Sequence, residues 1–312
     1  MTHRSKMITS IRIATTRAIR QTKEAVMRKL LPVLILALTL TAIVGAQTSV
    51  TPAGTGTAND PYQITELGNL VWVSDQTNMG DNWSSGTHFK LMNDIDASST
   101  AIWNDGAGFT PIGTNDARFN GVFDGNGKKI TGLTINRSSS STDYVGLFGY
   151  TGTDCAIKDL GLEGGSVSGT SSSSSVYVGG LVGYTRGTIT NCYASGAVSG
   201  TSTASFSDVY VGGLVGYQYS SGTIENCYAS GSVSGTSSSS SVYVGGLVGY
   251  QDYGAITNCY ASGEVSGTCT GYYVYVGGLV GYSSGVITNC YASGSVSGTC
   301  TGNNSSSVYV GG

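Results

Sequence analysis

The stretch VYVGGLVGY, from Val176 to Tyr184, decides the fold because it recurs along the chain. Copies begin at Val176, Val209, Val242 and Val274, with a shortened VYVGG at Val308 and a weaker DYVGLFGY at Asp143. The four steps from Val176 onward measure 33, 33, 32 and 34 residues. A period of this size is typical of stacked repeat arrays, in which each unit is one supersecondary element.

A second word, NCYASG, recurs in register with the first. It begins at Asn191, Asn226, Asn258 and Asn289, and a short Val-centred SVSG, AVSG or EVSG follows it. Val, Ile and Tyr favour strands, the Gly-rich breaks favour turns, and no repeated segment has the apolar spacing of a helix. The pattern predicts an all-β parallel solenoid with about three short strands per coil.

Stacking explains why the repeat is so regular. Successive coils lie ~4.8 Å apart and bury apolar residues that one coil cannot bury alone. We expect inward columns of Ile189, Ile224, Ile256 and Ile287, and of Val167, Val198, Val233, Val265 and Val296. Two tyrosine columns should form, one of Tyr177, Tyr210, Tyr243 and Tyr275 and one of Tyr184, Tyr217, Tyr250 and Tyr282. The Gly-Gly pair can hold a bulge that breaks the period of two, so the column that faces out stays open.

The Asn and Cys positions of the second word predict a corner. Ile189 and Cys192 both face inward only if the chain bends between them, and Asn191 tolerates the left-handed conformation that a bend requires. The repeated cysteines should stack as buried free thiols: Cys192, Cys227, Cys259 and Cys290. Cys269 and Cys300, each in GTCTG before a loop, are better placed to form a disulfide.

The first 46 residues have the pattern of a signal peptide. Met27-Arg28-Lys29 leads into an apolar run from Leu30 to Val44, and cleavage is expected after Ala46. The run is shorter than the ~20 residues that a membrane span needs, which favours export over a span. Translation could start at Met1, Met7 or Met27.

Composition and charge exclude two other classes of protein. The chain is rich in Val, Ile and Leu and has 20 Tyr, which argues against disorder. After Ala46 it has 7 basic and 17 acidic residues, a formal charge of −10. Nucleic acid is therefore not an expected partner, because binding its backbone needs clustered Lys and Arg. A single His in this part, His88, and the lack of a CxxC argue against a metal site.

Residues 47–137 depart from the repeat and should form an N-terminal cap with irregular first coils. TELGNLVWVSD, from Thr65 to Asp75, predicts a short capping helix with Thr65 as N-cap. Phe89, Leu91 and Ile95 indicate one strand. FDGNGKKITGLTI, from Phe123 to Ile135, is typical of a strand, a DGNG turn and a second strand. Repeats would then occupy residues 138–312.

The repeat YVGGLVGY…GTITNCYASGSVSG resembles the GLUG repeat of bacterial surface proteins. The upstream runs PYQITELGNL, KLMNDIDAS, FTPIGT, FNGVFDGNGKKITGLTI and YVGLFGY are similar to the region that precedes such repeats. The resemblance covers roughly residues 54–312 and implies a right-handed β-helix in an exported, adhesin-like protein. Some members carry an IgA-cleaving zinc peptidase, but this sequence has no HExxH.

Two alternatives remain open at this point. A polysaccharide lyase or hydrolase could use Asp94, Asp96 and Asp124, and Asp94 and Asp96 share one strand face where a calcium ion could bind. NDIDAS equally suits a turn that binds its own backbone. An ice- or surface-binding array needs a two-column Thr lattice, but Thr188/Thr190 gives way to Thr223/Glu225 in the next repeat.

The favoured function is passive and non-catalytic, with no cofactor. A rigid acidic rod would present Ser-rich loops, Ser171 to Ser175 and Ser237 to Ser241, and an exposed Tyr column to a glycan or a host or cell-surface protein. An uncapped apolar rung at residue 312 would pair with other chains, so further C-terminal repeats or an anchor are expected.

Overall fold

Short runs of Val, Ile and Tyr form the strands, since branched and aromatic side chains favour the pleated backbone. The computed structural model describes residues 47–79, 83–139, 143–220, 222–302 and 306–312, besides Lys23, Glu24 and Met27. The expected signal peptide at residues 1–46 lies outside the described residues apart from those three positions. Residues 47–312 form one compact unit built mainly of β-strands.

One repeat forms one coil with five short strands in four sheets. Its strands in the coil that begins at Val176 are Val176–Gly179, Val182–Thr185, Thr188–Thr190, Tyr193–Ala194 and Ala197–Ser202. The expected parallel solenoid is confirmed. The predicted number of about three strands per coil is too low. Gly179-Gly180 and Asn191 each interrupt a segment that the sequence pattern predicts as one strand.

The sheets run along the stack, and every strand pair in the described residues is parallel. The first sheet contains Asp143–Val145, Val176–Gly179, Val209–Gly212, Val242–Gly245, Tyr273–Gly277 and Ser307–Gly311. The second contains Phe148–Tyr150, Val182–Thr185, Val215–Tyr219, Val248–Asp252 and Val280–Ser283. The fourth contains Thr134–Ser139, Ser166–Ser171, Ala197–Ser202, Val233–Ser237, Val265–Cys269 and Val296–Cys300.

The third sheet is the longest and joins the first coils to the repeats. Its strands are Tyr62–Ile64, His88–Leu91, Ile95–Asp96, Val122–Thr131, Ala156–Glu163, Thr188–Thr190, Tyr193–Ala194, Thr223–Glu225, Tyr228–Ala229, Ala255–Thr257, Tyr260–Ala261, Val286–Thr288 and Tyr291–Ala292. The stack therefore begins at Tyr62, within the region whose sequence departs from the repeat.

Identical residues of successive repeats lie in register. Val176 pairs with Val209, which pairs with Val242, and Val242 pairs with Val274. In the third sheet, Ile224 lies between Ile189 and Ile256. Burying one such side chain contributes roughly 1.5–3 kcal/mol. Regular stacking thus gives every repeat the same apolar contribution.

The inward Ile column continues into the first coils with larger side chains. Ile189 lies over Ile157, Ile157 over Phe123 and Phe123 over Phe89. All four are at most 1% exposed. At the opposite end Ile287 is 41% exposed, because the coil that contains it is the last one described in this sheet.

A helix packs beside the first strand, as expected, but its N-cap differs from the expected one. The helix spans Leu67–Ser74, and Glu66, not Thr65, is the N-cap. The Asn69 side-chain oxygen accepts hydrogen bonds from the backbone N–H groups of Thr65 and Glu66, at 3.0 and 3.2 Å. Because the Asn69 side chain accepts the backbone N–H of Glu66, the helix begins one residue later than the sequence predicts.

The remaining helical segments are short. They are the helix Gln76–Met79 and two 3₁₀ turns, Ser98–Ile102 and Asn104–Gly106. No helix in the described part of the chain is long and apolar enough to cross a membrane.

Two expectations for the first coils are wrong. Phe89, Leu91 and Ile95 belong to two strands, His88–Leu91 and Ile95–Asp96. The predicted strand, DGNG turn and second strand are instead one strand, Val122–Thr131, with a register shift between Asp124 and Lys128. Asn126 adopts φ 55° and Gly127 φ 69°, so these turn residues form a bulge, and the neighbouring coil provides the parallel partner.

Candidate functional site

Both predicted tyrosine columns lie on the outside of the coil, side by side. The first contains Tyr144, Tyr177, Tyr210, Tyr243, Tyr275 and Tyr309, with ring centroids 4.7–5.0 Å apart. The second contains Tyr150, Tyr184, Tyr217, Tyr250 and Tyr282, at 4.4–4.9 Å. The two columns also touch edge to face, as in Tyr210 and Tyr217 at 5.2 Å and 78°. We call the pair the twin tyrosine columns.

A sharp bend of the backbone between the first and second strands of each coil brings these columns together. Leu181 and Val182 are adjacent and both fully buried, so the period of two is broken after the Gly-Gly pair. A Cβ on Gly216 would lie 2.7 Å from the backbone nitrogen of Val178. The second strand therefore lies directly against the first, and only glycine permits that approach. Tyr on both strands then faces the same outer corner, which settles the question left open by the sequence.

The twin tyrosine columns present neutral phenols with their ring faces occupied. Burial, followed by the nearby Tyr144 and Asp208, raises the pKa of Tyr177 to about 12. Burial and the Asp208 carboxylate likewise raise the pKa of Tyr210. Each ring face is covered by the next ring, and the guanidinium of Arg118 lies 4.8 Å from the Tyr150 ring. The columns can offer hydroxyl groups to a ligand, but few free ring faces.

A third tyrosine column was missed at the sequence level, although the word NCYASG repeats its tyrosine. Tyr193, Tyr228, Tyr260 and Tyr291 stack on the third sheet at 4.8–5.2 Å. At its first member, the Tyr193 hydroxyl donates to Glu163 at 2.7 Å, and Lys129 pairs with the same carboxylate at 2.8 Å. These bonds lower the pKa of Glu163. They link the first coils to the repeats.

The Asn corner forms a directed hydrogen-bonded column. Asn191, Asn226, Asn258 and Asn289 all have φ 53–54°. Each side-chain amide donates to the residue one coil earlier, as from Asn226 to Asn191 at 3.2 Å. The column ends on Asp159, whose carboxylate accepts from Asn191 at 2.8 Å. Its members are exposed, and they shape the corner that turns the Cys residues inward.

The four repeated cysteines are free thiols just inside that corner, and three of them are fully buried. The backbone N–H of Cys192 donates to the sulfur of Cys227 at 3.4 Å. The thiol of Cys227 in turn donates to the backbone oxygen of Glu225 at 3.1 Å. Local backbone bonds thus satisfy the sulfur atoms.

Cys269 and Cys300 form a disulfide, as expected, with Cα atoms 4.7 Å apart. They are the last residues of two paired strands of the fourth sheet, so they lie in register and not in the loops. Earlier coils carry Ser171, Ser202 and Ser237 at this position. The disulfide therefore joins two neighbouring coils at a column that is otherwise serine.

The carboxylates proposed for catalysis or calcium binding accept hydrogen bonds from backbone N–H groups. Asp94 accepts the backbone N–H of Lys129 at 3.0 Å, and Asp96 accepts that of Ser98 at 2.9 Å. The hydrogen bonds from Ser98 lower the pKa of Asp96. Both side chains thus act as acceptors for backbone donors.

Asp124 is similarly engaged. Its carboxylate accepts the backbone N–H of Asn126 at 2.7 Å and pairs with Lys158 at 3.2 Å. In the part of the chain that the structure describes, no three His, Cys, Asp or Glu side chains come close enough to hold a metal ion.

The Ser-rich loops lie between the fourth sheet and the first, on one edge of the coil. Ser171, Ser202 and Ser237 at their starts are buried, so part of each predicted loop is interior. Asp208 joins neighbouring loops: its carboxylate accepts from Ser240 Oγ at 2.6 Å and from the Ser241 backbone at 3.0 Å. We call this row of loops the loop edge.

These features define a class: a parallel β-solenoid of in-register repeats with outward tyrosine and asparagine columns. The chain carries the GLUG motif in four tandem copies, at residues 174–199, 207–234, 240–266 and 272–297. The family resemblance inferred from the sequence is confirmed.

Two relatives share about half of the chain. Halomucin of Haloquadratum walsbyi is 38% identical over 154 residues, and a protein of Evansella cellulosilytica named as a Gly-rich membrane protein is 37% identical over 146 residues. Each match covers 47% of this chain, but only 2% and 16% of the respective relatives.

A solved structure shares the fold. It is the crystal structure of a protein from Bacteroides ovatus described as a candidate immunoglobulin A1 protease. The TM-score is 0.51 at 24% sequence identity, over 83% of this chain and 86% of the other. At this identity the likeness concerns the fold alone.

Proposed function

We propose that this protein is an exported, non-catalytic rod that lies at the cell exterior and adheres through its outer columns and loop edge. One observation carries the proposal: every coil repeats the same outward groups in register, as in Tyr177 over Tyr210. Such a surface is suited to repeated weak contacts, whose combined strength exceeds that of one contact.

Three further points support an external location. The pattern at residues 1–46 is that of a signal peptide. The disulfide between Cys269 and Cys300 suits an oxidising compartment. The relatives are named as a mucin and as a membrane protein.

The non-catalytic part of the proposal is supported by the state of the candidate acids. An acid and base pair needs carboxylates that are free to exchange protons with a substrate. Asp96 and Asp124 instead accept backbone N–H groups of their own turns, and Asp94 accepts that of Lys129 in the neighbouring coil. Depolymerisation assays on acidic and neutral polysaccharides, with and without calcium, should detect no activity. Calcium-dependent cleavage of a polysaccharide that is lost in the Asp124→Asn variant would contradict the non-catalytic part of the proposal.

Location is tested with antibodies against residues 47–312, applied to intact and to lysed cells of the source organism. A cytoplasmic protein serves as the control for leakage. We expect labelling of intact cells or of the medium. A signal that appears only after lysis would overturn the proposed function.

A further inference from the structure

Exposed aromatic side chains that are not members of the stacked columns lie on the loop edge. Phe206 is 80% exposed, Tyr272 44% and Tyr273 38%. Phe206 lies in the loop at 203–208 and Tyr272 in the loop that precedes Val274. These loops are two coils apart, a rise of about 10 Å along the stack. The loop edge therefore offers separate aromatic contacts on one side of the coil.

The backbone holds Phe206 outward at an energetic cost. Its φ is 60°, a conformation that bulky residues rarely adopt. Its loop has two more residues than the equivalent loop at 238–241. The backbone N–H of Asp208 donates to Ser175 at 3.0 Å, while the Asp208 carboxylate accepts from Ser240. The base of the loop is thus fixed on both sides, so the exposed Phe206 ring is held at a defined place on the loop edge.

Charge around this edge favours an uncharged ligand. The sequence contains no Lys or Arg after Arg186, so an anionic polymer would find no cation there. The local carboxylate, Asp208, is occupied by Ser240, Ser241 and the hydroxyl of Tyr210. The exposed side chains beside Phe206 and on the next loop carry hydroxyls, at Thr203, Ser205 and Ser238, and a hydroxyl both donates and accepts hydrogen bonds.

We propose that the loop edge binds a neutral polysaccharide, with sugar rings stacked on Phe206 and Tyr272. The negative face of an aromatic ring attracts the slightly positive C–H face of a sugar, and the hydroxyl of Ser238, which is exposed on the loop between the two rings, binds a sugar hydroxyl. A polymer suits this surface because the two rings lie two coils apart. This inference rests on the proposed function and names the class of ligand.

The test is affinity electrophoresis of the full chain through gels that contain a neutral polysaccharide, either mixed-linkage β-glucan, xyloglucan or dextran. Parallel gels contain polygalacturonate, and immobilised fibronectin provides a protein arm. The variants are Phe206→Ala and Tyr272→Ala. The matched control is Tyr253→Ala, since Tyr253 is also exposed, at 65%, and has φ 62°, but lies at the corner between the second and third sheets.

We expect retardation by at least one neutral polysaccharide, weakened roughly threefold to tenfold by each loop-edge variant and unchanged by the control. Circular dichroism should show the same strand content in all three variants. Binding to none of the neutral polymers, preference for polygalacturonate or for fibronectin, or equal losses in all three variants would each overturn the inference. The antibody test of location is independent, so external labelling without neutral-polysaccharide binding would leave the proposed function standing and reject this inference.

Discussion

The first coils, residues 47–163, and the repeats, residues 164–312, continue one parallel stack but fill it in different ways. Phe89, Phe119, Phe123 and Phe148 are at most 1% exposed and interlock at 5.0–6.3 Å in the first coils. In the repeats the interior instead holds aliphatic side chains in identical columns, such as Ile189 over Ile224. The large side chains of the first coils fit one particular arrangement, whereas the repeats gain their stability by adding equal units.

The aromatic residues also divide between the regions, which gives each a separate optical signal. All three tryptophans, Trp72, Trp83 and Trp103, are buried in the first coils. Seventeen of the 20 tyrosines lie in the repeats. Tryptophan fluorescence therefore reports on the first coils and tyrosine absorbance on the repeats.

Alkaline pH should have the largest effect and should act on the repeats first. The pKa of Tyr177 is about 12 in the folded protein, against about 10 in an unfolded chain. A raised pKa of this kind stabilises the fold fully below pH ~10, and the contribution is lost as the pH rises toward 12. We expect phenolate absorbance to appear together with loss of the strand signal, before the tryptophan signal changes. Ionisation of Tyr177 and Tyr210 near pH 10 with the strand signal intact would contradict the burial of the columns.

Phe123→Ala should cost about 3–5 kcal/mol of unfolding free energy, because it opens a cavity among interlocked rings. Its ring is fully buried and lies 5.3 Å from that of Phe148. Denaturant unfolding followed by tryptophan fluorescence measures the loss. Phe206→Ala, which removes an exposed ring, is the control and should stay within about 0.5 kcal/mol. Similar losses for both would argue against the Phe cluster.

A smaller effect is expected at the Asn corner of the repeats. Asn226 has φ 53°, so Asn226→Ala should destabilise the protein by roughly 1–2 kcal/mol more than Asn226→Gly, which tolerates that angle. Chemical unfolding followed by circular dichroism compares the two variants. If alanine and glycine were equivalent, the left-handed corner would be wrong.

The smallest effect is a difference in thiol reactivity with no change in stability. Burial raises the pKa of Cys155 to about 12, which disfavours the reactive thiolate. Cys290 is only partly buried. Mass spectrometry after brief alkylation of the native protein should find Cys290 modified before Cys155. The reverse order would contradict the burial of Cys155.

The sequence predicts the repeats more closely than it predicts the first coils. In the repeats, the spacing of VYVGGLVGY predicts the register of the paired strands, because identical residues stack only when they occupy the same position in successive coils. The number of strands was missed because Gly179-Gly180 and Asn191 act on the backbone, which hydrophobic spacing does not describe. In the first coils, DGNG equally suits a turn between two strands and a bulge within one strand, and only the parallel partner strand decides between them.

The candidate surfaces also differ in how far the sequence predicts them. The tyrosine columns could be read from the repeat, but their meeting at one corner depends on the close approach at Gly216. Phe206 occurs once, in a loop of unusual length, and a single exposed residue leaves no periodic signal. Unique features of a repeat protein therefore need the structure.

The in-register stack itself is tested most directly by the distance between spin labels at Ser168 and Ser297. These residues are 129 positions apart in sequence, yet belong to one column of the fourth sheet through Ser199, Ser234 and Ser266. Four coils at ~4.8 Å give a separation of about 19 Å, to which the label tethers add a few ångströms. A narrow distribution near that value is the predicted result. A broad distribution, or one centred at two or three times that distance, would contradict the stack.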